Sequence, residues 1–413
     1  MLPFRARAVV LRASQWSVLR ASRELPRSIH ILLLGTFVNR AGAFVLPFLA
    51  LYVSVRLGLG PRIGSLALGA YGIGSLVGSL VGGQLADRYG RRTVMVGSLL
   101  GSALCLLALS RAQAVAGVLA ASFGLSLISD MYRPAGQAFI ADVVPAAQRM
   151  HAFALNYIAI NLGFAFAPFV GGILAERSFA LLFYVDAFTS AFFGLLIAFT
   201  LPESLAPPTE SQRAAPRESL LRAWGRIFRH RVFMLFCLAL FLVSLCFAQA
   251  FATLPISMNE LGIGEKTYGR IMAVNGVMIV LLQLPITAFV LRMSRSTALC
   301  MSAVLVGTGF GLNSVAGTWV GLVGTVAVWT CGEMMQAPML GPVVADLAPA
   351  PMRARYMAFS GVAVSLAVAV GSMLGGHFFA SYGQALFWPG AAMTAFVGGS
   401  IFLALGKRLA PAS

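Results

Sequence analysis

Five ionisable side chains lie deep inside long apolar runs: Arg40, Asp130, Arg133, Asp186 and Glu333. A charge in the hydrocarbon core of a bilayer costs at least a few kcal/mol, so a chain that keeps one there is expected to use it. A carboxylate in such a place can take up and release a proton. An arginine nearby can hold an anionic group or tune that carboxylate. Glu333, in "CGEMMQ", has no acid or base within a turn on its own helix and is the first candidate for carrying a proton. Asp130 is the second. Arg40 is expected across a cavity from Glu333, so that a substrate displacing it changes the proton affinity of Glu333. Asp130 and Arg133 are three residues apart and would share a helix face, with a purely structural ion pair as the alternative. Asp186, in "LFYVDAFTSA", is expected to serve packing or a polar network, with proton access as the alternative.

Around these charges the candidate cavity residues are Asn39, Tyr132, Gln137, Tyr157, Asn161, Gln249, Asn275, Trp329 and Gln336, together with Arg40 and Arg133. Helix–helix hydrogen bonding is the competing role for each polar one. Met334, Met335 and Met339 beside Glu333 suggest an adaptable wall, or else ordinary packing. The four histidines are scattered, and no metal set, nucleotide loop or Ser/His/Asp grouping is present. The sequence therefore predicts no enzyme, no metal and no cofactor, with a proton gradient as the energy source.

The elements that must position these residues are membrane spans. The chain has 413 residues, 59% apolar and 10% charged. A soluble domain carries about 25% charged residues, so this chain cannot cover a soluble core. A spanning helix needs about 20 apolar residues. Twelve candidates fit, at 29–55, 64–86, 93–110, 113–142, 150–175, 178–201, 232–257, 267–291, 296–315, 317–346, 352–379 and 383–406, here called spans 1 to 12. By this count Asp130, Glu333 and Arg40 lie near the midplane of a core about 30 Å thick. The fold class expected is an all-α integral membrane protein of two pseudo-symmetric six-helix bundles, 29–201 and 232–407. Residues 202–231, rich in Pro, Ser, Arg and Glu, read as a linker whose end, "ESLLRAWGRIF", could be an amphipathic interfacial helix. The basic segment 1–28, with Phe4, Leu11, Trp16 and Leu19 between its arginines, reads as a surface-lying helix or a tail.

The net charge of +17 is a topology signal. With twelve spans, 22 of the 30 Lys and Arg fall on the side of the termini and the linker, and six on the other. That bias places both termini in the cytoplasm of a multi-pass cell-membrane protein and argues against a nucleic-acid partner. The partners expected are a small molecule, protons and lipid, with the chain a monomer. The five cysteines lie in apolar runs without ligand spacing and predict no disulfide.

The halves repeat. "ADVVPAAQR" at 141–149 matches "ADLAPAPMR" at 345–353, and the same offset of 204 residues carries Gly171-Gly172 onto Gly375-Gly376 and Arg88 and Arg91 onto Arg292 and Arg295. A constant offset across several elements indicates a duplicated six-span unit.

The loop after span 2 reads Gly83-x-x-x-Asp87-Arg88-x-Gly90-Arg91-Arg92. On that pattern, in that place, the chain resembles the major facilitator superfamily along its whole length. The resemblance implies a conformational latch: Asp87 capping the start of span 11 when the cytoplasmic side is closed, and Arg91 pairing with Asp142. The second copy has Leu291 in place of the aspartate, so the latch should act mainly through the first half. "GFAFAPFVGG" in span 5 is similar to the antiporter motif of drug-efflux members through Gly163, Pro168, Gly171 and Gly172, with Ala167 replacing a glycine. It implies export of small amphipathic molecules in exchange for protons. Span 10 also resembles that of proton-coupled peptide symporters, but Thr36 and Asn39 stand where those carry glutamates, so uptake is the alternative.

Overall fold

The computed structural model describes residues 25–145, 148–204, 220–349 and 352–409. The expected basic segment and most of the linker therefore lie outside the described residues. Among those described there is no strand. In lipid every backbone amide must find its partner internally, and helices achieve that within one segment. Among the described residues ten helical stretches are long and apolar enough to cross a bilayer, and one of them, Arg355–Leu409, has 55 residues. It is two spans, 11 and 12, meeting at Gly383, whose φ of 68° only glycine adopts readily. Trp319–Leu347, with 29 residues, is span 10. The twelve expected traverses are all present. The first and last described residues, Leu25 and Leu409, lie on one face, called the terminal face below; the opposite one is the far face.

Three spans are not the continuous helices expected from the apolar runs. Span 1 runs Arg27–Ala41, breaks at Gly42, and restarts as Val45–Leu51 followed by a wider turn, Tyr52–Arg56. Span 4 divides into Val115–Ser129 and Tyr132–Val143 around Asp130 and Met131. Span 7 is interrupted at Ala248 and Thr253. Hydropathy does not see such breaks, because an average over about twenty residues is hardly moved by one or two at the interruption.

The halves join at the far face through backbone contact. Span 5 lies on span 8, where a side chain at Gly276 would overlap the Cα of Ala165, one at Gly269 the carbonyl of Pro168, and one at Gly172 the carbonyl of Glu265. Span 2 lies on span 11, where a side chain at Gly72 would press on the Ala369 backbone, and one at Gly376 on Ser65 and the carbonyl of Pro61. The offset of 204 maps Gly276–Ala165 onto Gly72–Ala369, and Gly172–Glu265 onto Gly376–Pro61, with the halves exchanged. The duplication is thus visible in the interface itself. The buried core agrees: far-face residues of the first half, such as Phe48 and Phe183, share one cluster with the second half. Terminal-side residues of the first half, such as Phe139 and Phe193, form a separate one. The molecule is closed at the far face and parted at the terminal face.

The linker helix Leu220–Arg229 docks on the second half. Ile227 is buried, and Phe228 meets Phe359 edge-on at 5.4 Å. His230 Nδ1 shares a 3.1 Å hydrogen bond with the Tyr356 hydroxyl at the start of span 11. Burial holds His230 below its usual 6.5, which favours the neutral ring in the docked state. A base whose folded value is lowered loses docking stability as pH falls through its unfolded value. Protection factors for hydrogen exchange across 220–231, taken relative to the base-catalysed intrinsic rate at each pH, are therefore expected to fall between pH 7.5 and 5.5 in the wild type, and not in His230→Gln.

Candidate functional site

Two separate polar groups occupy the middle of the molecule. The first is a cavity of about 70 Å³ within the first half, lined among others by Arg40, Tyr71, Asp130, Tyr132 and Asp186. Arg40 occupies the last turn before the break in span 1, over the Phe164 ring at 5.8 Å. Span 5 can approach it because Gly163 lies against the Arg40 Cβ. Asp186 lies at the break: its carboxylate accepts the Val45 amide at 3.3 Å and so caps the restarted helix. Asn39 donates to Ser190 Oγ at 3.0 Å, and the Tyr132 and Thr36 hydroxyls share a hydrogen bond at 3.2 Å. Both residues tie spans of the first half together.

The second group lies where the halves face each other. Asn275 of span 8 donates to Glu333 Oε2 at 2.7 Å and to Thr330 Oγ1 at 3.1 Å. From span 5, Tyr157 is within electrostatic reach of Glu333, and Asn161 donates to the Tyr157 carbonyl at 2.8 Å. One turn along span 10, Gln336 Nε2 is buried with no hydrogen-bond partner among the described residues. A buried donor without an acceptor costs about 1–3 kcal/mol.

Several sequence expectations are corrected here. Arg40 does not face Glu333; it turns into the first-half cavity, where the carboxylates of Asp130 and Asp186 attract it. Asp130 and Arg133 form no direct pair: the helix breaks between them, and Arg133 is exposed on the terminal side, as is Gln137. Trp329 is a core residue at 1% exposure, stacked on Phe310 at 5.5 Å, not a cavity wall. Gln249 is spent on structure, donating to the Gly371 carbonyl at 2.8 Å. Met334, Met335 and Met339 are buried packing residues. Each was apolar or polar enough to line a cavity; which helix face met a neighbour was not in the pattern.

At the terminal end Arg91 bridges Asp87 at 2.7 Å and Asp142 at 3.2 Å. The Asp87 side chain is 74% exposed and does not reach span 11, since the halves are parted there. Arg88 is exposed over the Tyr89 ring at 5.2 Å. A side chain at Gly83 would make only an ordinary contact with Pro134, at 3.8 Å. The second half repeats the pair as Arg295–Asp346 at 2.7 Å, despite Leu291. Glu203 and Ser204 were missed by sequence reasoning. Glu203, at the end of span 6, accepts the Arg91, Arg92 and Thr93 amides at 2.7, 3.4 and 3.4 Å and caps span 3. Gly90, at φ 100°, leaves room for that carboxylate. Ser204 donates to Asp142 at 3.1 Å. The available signal was a lone acid beside Pro202, on the side of the arginines. In span 5, Pro168 is buried with its carbonyl against Gly269, and Gly171 admits the Phe48 ring.

Comparison with known proteins agrees with this architecture. The sequence profile of the Major Facilitator Superfamily matches residues 32–258 and 240–413. A Na(+), Li(+), K(+)/H(+) antiporter of Planococcus maritimus is 30% identical over 383 residues, 85% of this chain and 88% of that protein. The multidrug resistance protein MdtH of Cronobacter sakazakii is 26% identical over 395 residues, 92% and 95% of the two chains. Among solved structures, a POT family transporter in complex with 5-aminolevulinic acid superposes with a TM-score of 0.77 at 16% identity, over 93% of this chain and 97% of that one. The nucleoside transporter NupG superposes with a TM-score of 0.76 at 17% identity, over 92% and 100%. These proteins are transporters, not enzymes. The duplicated twelve-span fold, the arginine–aspartate loop after span 2 and the profile match over nearly the whole chain place the protein in the Major Facilitator Superfamily as a multi-pass secondary transporter.

Proposed function

We propose that the protein exports small amphipathic molecules in exchange for protons, by rocking its two six-span halves about the site between them. Both termini lie in the cytoplasm, so the described state is open inward. The observation that carries this reading is Glu333, held by Asn275 at 2.7 Å where spans 5, 8 and 10 meet, with the unpartnered Gln336 amide one turn away. A proton and a substrate that compete for that group cannot be carried together, which is the condition for exchange. The resemblance of span 5 to the drug-efflux antiporter motif supports export.

A second reading, exchange of a monovalent cation for protons, is favoured by the relative described as a Na(+), Li(+), K(+)/H(+) antiporter and by the two carboxylates in the first-half cavity. Everted vesicles with an acid interior decide between them. Accumulation of amphipathic dyes, dependent on the pH difference, is expected. Loss of the pH difference on adding Na⁺ or K⁺ alone would favour the cation. Dye or peptide entry into right-side-out vesicles along the proton gradient would overturn export.

A further inference from the structure

We propose that Asp186 is a positioning residue that locks the far-face gate while ionised and releases it on protonation. The proposal rests on the proton-coupled reading above and adds a second proton-responsive group, in the other half. Span 1 is two helices, and the restarted one, Val45–Leu51, crosses to the second half. The Tyr268 hydroxyl of span 8 donates to its Pro47 carbonyl at 3.0 Å, and the Tyr268 ring meets Phe48 edge-on at 5.1 Å. These contacts bar the far entrance, so opening it requires the restarted helix to move relative to Arg27–Ala41. Only Gly42, Ala43 and Phe44 connect the two pieces.

Asp186 holds that joint. Asp186 is 8% exposed, and its carboxylate accepts the first amide of the restarted helix. One turn on, Thr189 packs against Gly42 and donates back to the Asp186 carbonyl at 3.0 Å. The same carboxylate borders the cavity with Arg40 of span 1, Tyr71 of span 2 and Asp130 and Tyr132 of span 4, the titratable and charged groups that face it. Ionised, it holds the Val45 amide by a charge-assisted hydrogen bond and attracts the nearby Arg40 across the cavity. Protonated, it loses the charge that favours both. The helix is then freer to leave Tyr268, and the far face opens. With Asp186 ionised the empty carrier stays locked; in the exchange cycle Asp186 keeps its proton through both crossings, and Glu333 alone trades its proton for substrate.

Spin labels at Arg111 and Val315, both exposed on the far face, read the gate in a background lacking the five native cysteines. In the wild type a longer-distance population is expected to grow as pH falls from 8 to 5. Asp186→Asn keeps an acceptor for the Val45 amide but no charge. It should show the longer population to a similar extent at both pH values, while Asp186→Glu restores a pH response. An Asp186→Asn response equal to that of the wild type overturns the proposal. If in that case Glu333→Gln still abolishes proton-driven transport, the exchange reading survives and only the lock is lost. A wild-type gate indifferent to pH overturns the lock outright.

Discussion

Glu333→Gln is expected to abolish proton-driven accumulation while leaving substrate exchange intact. Glutamine has the size of the glutamate, and its Oε1 can still accept the Asn275 amide that now meets Glu333 Oε2 at 2.7 Å. Binding geometry therefore survives, and what disappears is the ability to exchange a proton for substrate. For one-for-one exchange, a pH difference of one unit is worth about 1.4 kcal/mol and sustains roughly a tenfold substrate ratio. In everted vesicles that tenfold ratio should collapse towards one in the variant. Counterflow of labelled against unlabelled substrate should continue. A pH-gradient dependence equal to the wild type would remove Glu333 from the coupling step.

The second large effect is expected at Gly276. Alanine there places its methyl against the backbone of Ala165 in span 5, which cannot rotate aside. Overpacking of this kind costs typically about 1–3 kcal/mol. The cost arises only while the halves touch at the far face, so it shifts the balance between states by roughly 5- to 150-fold towards far-face opening. The distance between labels at Arg111 and Val315 should lengthen, and transport should slow because closure is disfavoured. Gly72→Ala, facing Ala369, should do the same from the opposite interface. An unchanged distance distribution with a lowered melting temperature would mean that Gly276 serves local packing alone.

Much of this was legible in the sequence. Twelve apolar runs, the 204-residue offset and the arginine asymmetry follow from rules with one dominant cause each: bilayer thickness, duplication and topology. The intramembrane charges announced themselves by their cost. Their partners did not. Arg40 turns towards the first-half carboxylates because span 1 breaks one residue after Ala41, and nothing in "NRAGAFVLP" distinguishes a broken helix from a kinked one. Asp186 looked peripheral for the same reason: its importance depends on a backbone amide that an unbroken helix would not offer. Trp329 was polar enough for a cavity but faces the interior of its own bundle, while Gln249 borders a pocket between spans 7, 11 and 12 with its amide tied to the Gly371 carbonyl. Glu203 was hidden by distance in the chain, 112 residues from the amide it caps most closely.

The exchanged contacts at the far face have a further consequence. Each half carries both partners of the seam: the first half has the Gly172 face on span 5 and the Pro61–Gly72 face on span 2, and the second half has Gly376 and the Glu265–Gly276 face. A surface that contains both members of its own contact pair is self-complementary, like the isologous interface of a two-fold dimer. Such a six-span unit could close on a copy of itself before fusion joined the two into one chain. The two copies nonetheless differ in their buried charges: Asp186 and Arg40 lie on one side of the seam and Glu333 on the other.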